Sequence, residues 1–245
     1  MKFEKVKKLY SINRSYFKLA PNLEGYPKDP FECFEYFKQH NELPYKDSEQ
    51  YTNEMNTWCI YECFIAYQKR VGVSNSQYFT PQKISNEVYD IYKYLDERGF
   101  LNKIENYVDV CCGFGCMTAS IPEILPKLIG YDGYELFKDI FEYCNKGATF
   151  ETKLFNQVQL KNNTLVFANP PYEMPYMLQF LTWLSEQLQE GSIAILLIPD
   201  GFLDKNRPQQ LVNLLNRFRI LDRTKIHYQF ELTKISTELV VLKAM

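Results

Sequence analysis

The sequence has no excess of positive charge: 28 lysines and arginines stand against 30 aspartates and glutamates, a formal charge of −2 over 245 residues. A chain that binds duplex nucleic acid alone usually carries a basic excess, because phosphate neutralisation supplies most non-specific affinity. Any such contact here has to come from a local patch or from a partner. One patch stands at the start, with Lys2, Lys5, Lys7, Lys8, Arg14 and Lys18 against Glu4 alone; a solvated basic tail explains it equally well. No apolar signal segment opens the chain, and no run approaches membrane-spanning length, so no membrane partner is expected. Seven cysteines, an odd count with Cys111 and Cys112 adjacent, do not suggest a disulfide framework, and a reducing cytoplasm is the expected location. Cys59 and Cys63 share a helix face by spacing, but no second ligand pair or nearby histidine joins them. Buried structural cysteines are expected there, and no metal. Internal repeats and low-complexity tracts are also missing.

What is present is ordinary globular composition, 46% hydrophobic and 24% charged, enough for a sizeable core. The length fits one α/β domain with a modest extension. Aromatic residues are abundant, with 19 Tyr and 18 Phe. They serve either as bulky core side chains or as platforms for stacking on bases.

Residues 1–48 are interrupted by Pro21, Gly25, Pro27, Pro30 and Pro44 and read as short helices and loops. Apolar spacing predicts a helix over 48–70 and a break at Gly72–Ser76. Thr80-Pro81 reads as an N-cap followed by a first-turn proline, opening a helix whose face is Ile84, Val88, Ile91 and Leu95 and which Gly99 ends. From there strand and helix alternate. Strands are expected at 107–111, 127–131, 149–154, 164–168 and 192–198, with helices from about Met117 and over 136–144, 177–188 and 209–218. Two final strands, 225–230 and 238–242, have no helix between them and should pair antiparallel. The expectation is a Rossmann-like, doubly wound α/β fold: a mostly parallel seven-stranded sheet with an antiparallel final hairpin. A mostly helical N-terminal extension covers 1–75 and the catalytic domain 76–245.

In such a sheet ligands bind beyond the carboxyl ends of the strands. The first strand runs into Asp109-Val110-Cys111-Cys112-Gly113-Phe114-Gly115, where two glycines let backbone approach a ligand. The second ends at Asp132, an acid placed for ribose hydroxyls. A plain strand-to-helix turn explains the glycines alone, but joined to the acid they favour a nucleoside cofactor. The strongest signal is Asn169-Pro170-Pro171-Tyr172 at the end of the fourth strand. With proline at about 5% of residues, such a tetrapeptide arises by chance in about one chain per thousand of this length. The prolines hold the backbone extended, so the Asn169 side-chain oxygen and the Pro170 carbonyl can converge on an amino group, with Tyr172 as a flat face.

These motifs resemble the amino-methylating DNA methyltransferases, in particular the adenine-N6 group whose cofactor motifs precede the catalytic one. The tetrad at 169–172 matches that family's catalytic motif. Residues 109–115 look like its cofactor loop, with Val110 in place of the common proline and Phe114 in place of a small residue. GYDGYEL at 130–136 is similar to its ribose-binding segment, and Gln77-Tyr78-Phe79-Thr80-Pro81 to the motif that closes over the methionine end of the cofactor. Residues 191–203 and 232–243 are similar to later core strands, so the resemblance spans about 77–245. It implies S-adenosylmethionine as cofactor, held by Tyr78, Thr80, Pro81, Asp109, Gly113, Gly115 and Asp132. Asn156 stands where the family often has an aspartate touching adenine. It also implies catalysis by Asn169, Pro170, Pro171 and Tyr172 on adenine N6 in DNA, in a prokaryotic or phage setting. RNA or a protein glutamine amide is the alternative substrate, and a catalytically silent binding subunit the alternative role. With the sequence ending after the last core strand, the expectation is that residues 1–75 read DNA, that a protein partner does, or that the enzyme tolerates many sequence contexts.

Overall fold

The computed structural model describes residues 30–40, 53–71, 78–204, 212, 215–227, 230 and 235–245. The basic patch at 2–18 lies outside them. Seven strands form one sheet: β1 (Asn106–Val110), β2 (Leu128–Asp132), β3 (Thr149–Thr152), β4 (Thr164–Ala168), β5 (Ile193–Pro199), β6 (Phe218–Ile226) and β7 (Thr237–Ala244). Their order is β3-β2-β1-β4-β5-β7-β6. β1 to β5 run parallel, and β7 enters antiparallel between β5 and β6. The helices are α1 (Pro30–His40), α2 (Asn53–Val71), α3 (Gln82–Glu97), α4 (Leu136–Cys144) and α5 (Met174–Gln187).

The central strands are apolar on both faces because both faces are covered. Leu165, Phe167, Ile195, Leu197 and Val241 face a core shared with α1 to α4. Val166, Ala168, Ala194, Leu196 and Val240 alternate to the other side, against Met177, Phe180 and Leu184 of α5. The N-terminal helices belong to the first core: Phe37 meets Tyr143 of α4 edge-on, with ring centroids 5.2 Å apart. Phe64 of α2 packs edge-on against Phe79 and Phe114 at 4.9 and 5.0 Å.

Three local expectations give way. No α-helix starts at Met117; the chain makes turns and then a 3-10 helix over Pro122–Lys127, because Pro122 and Pro126 withhold the N–H groups an α-helix needs. Thr80 does not cap α3. Pro81 takes the N-cap position in extended conformation, its carbonyl accepts the N–H groups of Ile84 and Ser85, and no side chain caps the helix. The sixth strand begins at Phe218, inside the expected 209–218 helix, and ends at Ile226 rather than Phe230. Most of 205–214 lies outside the described residues. β6 is an edge strand carrying Arg219, Asp222, Arg223 and Lys225, with a register irregularity between Ile220 and Asp222. A bulge shifts the alternation from which strands are read, and edge charges thin out the apolar signal.

Candidate functional site

The carboxyl ends of β1, β2, β3 and β4 open onto a cavity of about 570 Å³. Of the candidate residues, Tyr78, Thr80, Asp109, Gly113, Asp132 and Asn156 line it together with Asn169, Pro170, Pro171 and Tyr172. Pro81 and Gly115 do not. Pro81 faces α3 as its cap. Gly115 lies behind the loop at φ +80, where a Cβ would come within 2.6 Å of Asn145 Nδ2 and 2.9 Å of the Phe141 ring; its role is close packing on α4.

The loop after β1 is tied to β2. Cys112 N–H donates to the Tyr131 carbonyl at 3.1 Å, and Gly113 N–H donates to Asp132 Oδ2 at 3.0 Å. Asp132 Oδ1 accepts from Tyr134 N–H at 3.1 Å. Each Asp132 oxygen therefore keeps acceptor capacity for a hydroxyl. Its carboxyl lies above the ordinary range, raised by burial and partly restored by these N–H donors. Gly113 sits at φ +53, and a Cβ there would stand 2.5 Å from the Phe79 ring, so only glycine fits between Phe79 and the cavity.

Asp109 is fully buried at the end of β1. Oδ2 accepts from the Thr118 hydroxyl at 3.1 Å, while Oδ1 has no hydrogen-bond partner among the described residues. Burial, opposed by the Thr118 bond and reinforced by Asp132, pushes its pKa up to about 8. A buried unmet carboxylate oxygen is costly and suits a donor or cation entering the cavity. That is a fit to the ammonium or sulfonium of S-adenosylmethionine, as Asp132 fits its ribose. Burial also pushes the Cys111 and Cys112 thiols up, which keeps them protonated and poor nucleophiles.

The end of β4 is wired differently. Asn169 Nδ2 donates to the Tyr78 carbonyl at 2.9 Å and to Thr80 Oγ1 at 3.2 Å, and Tyr172 OH donates to Asn169 Oδ1 at 2.8 Å. Burial holds the Tyr172 phenol well above its usual range. Its ring meets Phe230, from the connection between β6 and β7, edge-on at 6.2 Å, and Phe230 also meets Tyr78 at 6.4 Å.

Several lining residues carried no readable signal. Cys111 adopts φ +59, a left-handed conformation that sequence reading assigns to Gly or Asn. Tyr134, Leu154 and Tyr176 stand about half exposed at the mouth; exposed apolar residues are individually uninformative in a sequence. Phe230 reaches the site only through the final hairpin.

No protein-family model matches the chain, and no curated protein matches it in sequence. Solved structures do match. A class I S-adenosylmethionine-dependent methyltransferase from Listeria monocytogenes superposes with TM-score 0.63 at 14% identity, over 80% of this chain and 69% of that one. The fold is that of the class I S-adenosylmethionine-dependent methyltransferases. Magnesium protoporphyrin IX methyltransferase from Synechocystis PCC 6803, with S-adenosylmethionine bound, matches at TM-score 0.51 and 15% identity, over 81% of this chain and all of that one. The 23S rRNA methyltransferase ErmE matches at 0.52 and 10%, over 69% and 70%. At these identities the likeness concerns the fold. Among the described residues no helix is long and apolar enough to cross a membrane.

Proposed function

We propose that this protein is an S-adenosylmethionine-dependent methyltransferase acting on an exocyclic amino group, adenine N6 in DNA. One observation carries the reading: the Asn169–Tyr172 tetrad and the Asp109–Asp132 cofactor elements line the same cavity. Bound there, S-adenosylmethionine would supply an electrophilic methyl on sulfur. Asp132 would hold its ribose, Asp109 its cationic end, and Asn156, on the short helical turn after β3, its adenine.

An aromatic exocyclic amine is a weak nucleophile because its lone pair is delocalised into the ring. With one N–H given to Asn169 Oδ1 and the other to the Pro170 carbonyl, the nitrogen would become pyramidal and its lone pair would form the new N–CH₃ bond in line, the methyl–sulfur bond breaking with its electron pair left on sulfur and the surplus proton on nitrogen passing to water. Holding the two reactants in line is worth roughly 7–11 kcal/mol of barrier. The protonated thiols of Cys111 and Cys112 agree with direct transfer and no covalent enzyme intermediate. A base taken from a duplex must first be flipped, at a few kcal/mol, and contact with the Tyr172 ring would return about 1–3 kcal/mol.

A second reading, that target recognition needs a protein partner, draws on the charge of the cavity. Among its described lining residues Lys153 is the one cation, and it is paired with Glu151 at 2.6 Å. Asp132 and Glu173 line the same cavity, which offers little to phosphates. The test is methyl-labelled S-adenosylmethionine incubated with duplex DNA, single-stranded DNA, RNA and protein extract, followed by digestion. Label in N6-methyladenine from DNA is expected. Label in RNA or a protein band moves the substrate; no label on any of them, with cofactor bound, makes the chain a subunit.

A further inference from the structure

We propose that Thr80 is a positioning residue for the catalytic amide rather than a clamp on the cofactor; the inference rests on the role given to Asn169 above. A primary amide has two ends of opposite hydrogen-bonding sense and similar shape, and only the oxygen end can accept an amino N–H. Its orientation therefore has to be enforced. The Tyr78 carbonyl, 2.9 Å from Nδ2, has no hydrogen to give, so only the NH₂ end can face it. Thr80 Oγ1, 3.2 Å from the same nitrogen, takes the other hydrogen. With both N–H groups committed, Oδ1 points the other way, bonded to Tyr172 OH through one lone pair and keeping the second for substrate. Thr80 is itself buried and cannot drift. Phe79, between the two anchors, is stacked on Phe114 at 4.0 Å and held edge-on by Phe64 of α2. The N-terminal helices thus brace the segment that orients the amide.

Thr80→Val keeps the shape and removes the acceptor; Thr80→Ser restores it. A lost hydrogen bond predicts that Thr80→Val lowers kcat for methyl transfer about tenfold with the S-adenosylmethionine Kd changed less than about twofold, and that Thr80→Ser recovers most of the rate. A readout independent of turnover is the ¹⁵N signal of the Asn169 side-chain amide, assigned by its loss in Asn169→Asp. Its hydrogens should exchange slowly in the native protein and in Thr80→Ser, and faster in Thr80→Val, with circular dichroism showing each variant folded. Should Thr80→Val misfold, Thr80→Ala serves in the same two measurements. A Kd weakened as much as kcat falls, or amide exchange unchanged by loss of the hydroxyl, overturns the proposal. Absence of transfer by the unaltered protein counts against the proposed function instead, and the amide exchange then decides the role of Thr80.

Discussion

Three neighbouring strand ends, those of β4, β1 and β2, meet in this cavity and differ in how completely their polar groups are engaged. At β4, the Asn169 amide gives both its hydrogens to protein and receives one from Tyr172. At β1, Asp109 keeps one buried oxygen unmet, and at β2 the Asp132 oxygens are held by backbone N–H groups alone. The wired end suits a group that must be oriented before the reactant arrives, since orientation fixed in advance costs nothing at the moment of reaction. The unmet end suits a group whose partner is the ligand itself. Under the proposed function, the contrast divides the site into a half for chemistry and a half for binding.

Damage to the two halves should therefore separate. Asn169→Ala is expected to lower the methyl-transfer rate by roughly 10²–10³, the cost of losing a preorganised polar group, as read from initial rates at saturating S-adenosylmethionine. Asp132→Asn should weaken S-adenosylmethionine binding about 10–150-fold, the range for hydrogen bonds to a charged group, measured by titration, with a much smaller effect on the saturated rate. A substitution between the halves should blur them. Gly113→Ala places a methyl against the Phe79 ring at φ +53 and should cost about 1–3 kcal/mol, a fall in Tm of several degrees. Since Phe79 lies between the two anchors of Asn169 and the Gly113 N–H holds Asp132, both rate and binding should suffer.

The last effect is a pH dependence confined to the binding half. Asp109 has its pKa raised to about 8, so below that pH the folded, ligand-free protein holds a proton that the unfolded chain releases near 4. The folded state binds more protons between about pH 4 and 8, and the contribution of Asp109 to stability falls as pH rises through that window. A cation bound beside it favours the ionised form, so S-adenosylmethionine affinity should climb with pH by up to about tenfold per unit until about pH 8. Asp109→Asn should flatten the slope; an unchanged slope would assign it to another group.

The same contrast governs what could be read in advance. β4 and α4 lie where their apolar patterns put them, because each is a short run bounded by clear breaks, and the parallel core followed from strands alternating with helices. β6 was displaced because an edge strand with a bulge has neither an apolar run nor a steady alternation. The 3-10 turn at 122–127 was hidden by apolar residues whose prolines outweigh their helical spacing. In the site, the residues at strand ends were legible from motif position, and the cavity gathers them. Their wiring was not. Thr80 looked like a helix cap because capping is local, whereas its bond to Asn169 spans 89 positions and exists only once β4 and the segment before α3 are packed together. Cys111 gave no sign of its left-handed backbone, since nothing in the residue type asks for one.

The most direct test of the divided site is calorimetric titration of S-adenosylmethionine at pH 7, in two buffers of different ionisation heat, into the native protein and Asn169→Ala. Equal affinities, with protons released as Asp109 ionises, are the predicted result. No binding to the native protein, binding lost with Asn169, or binding with no proton exchanged would contradict the account.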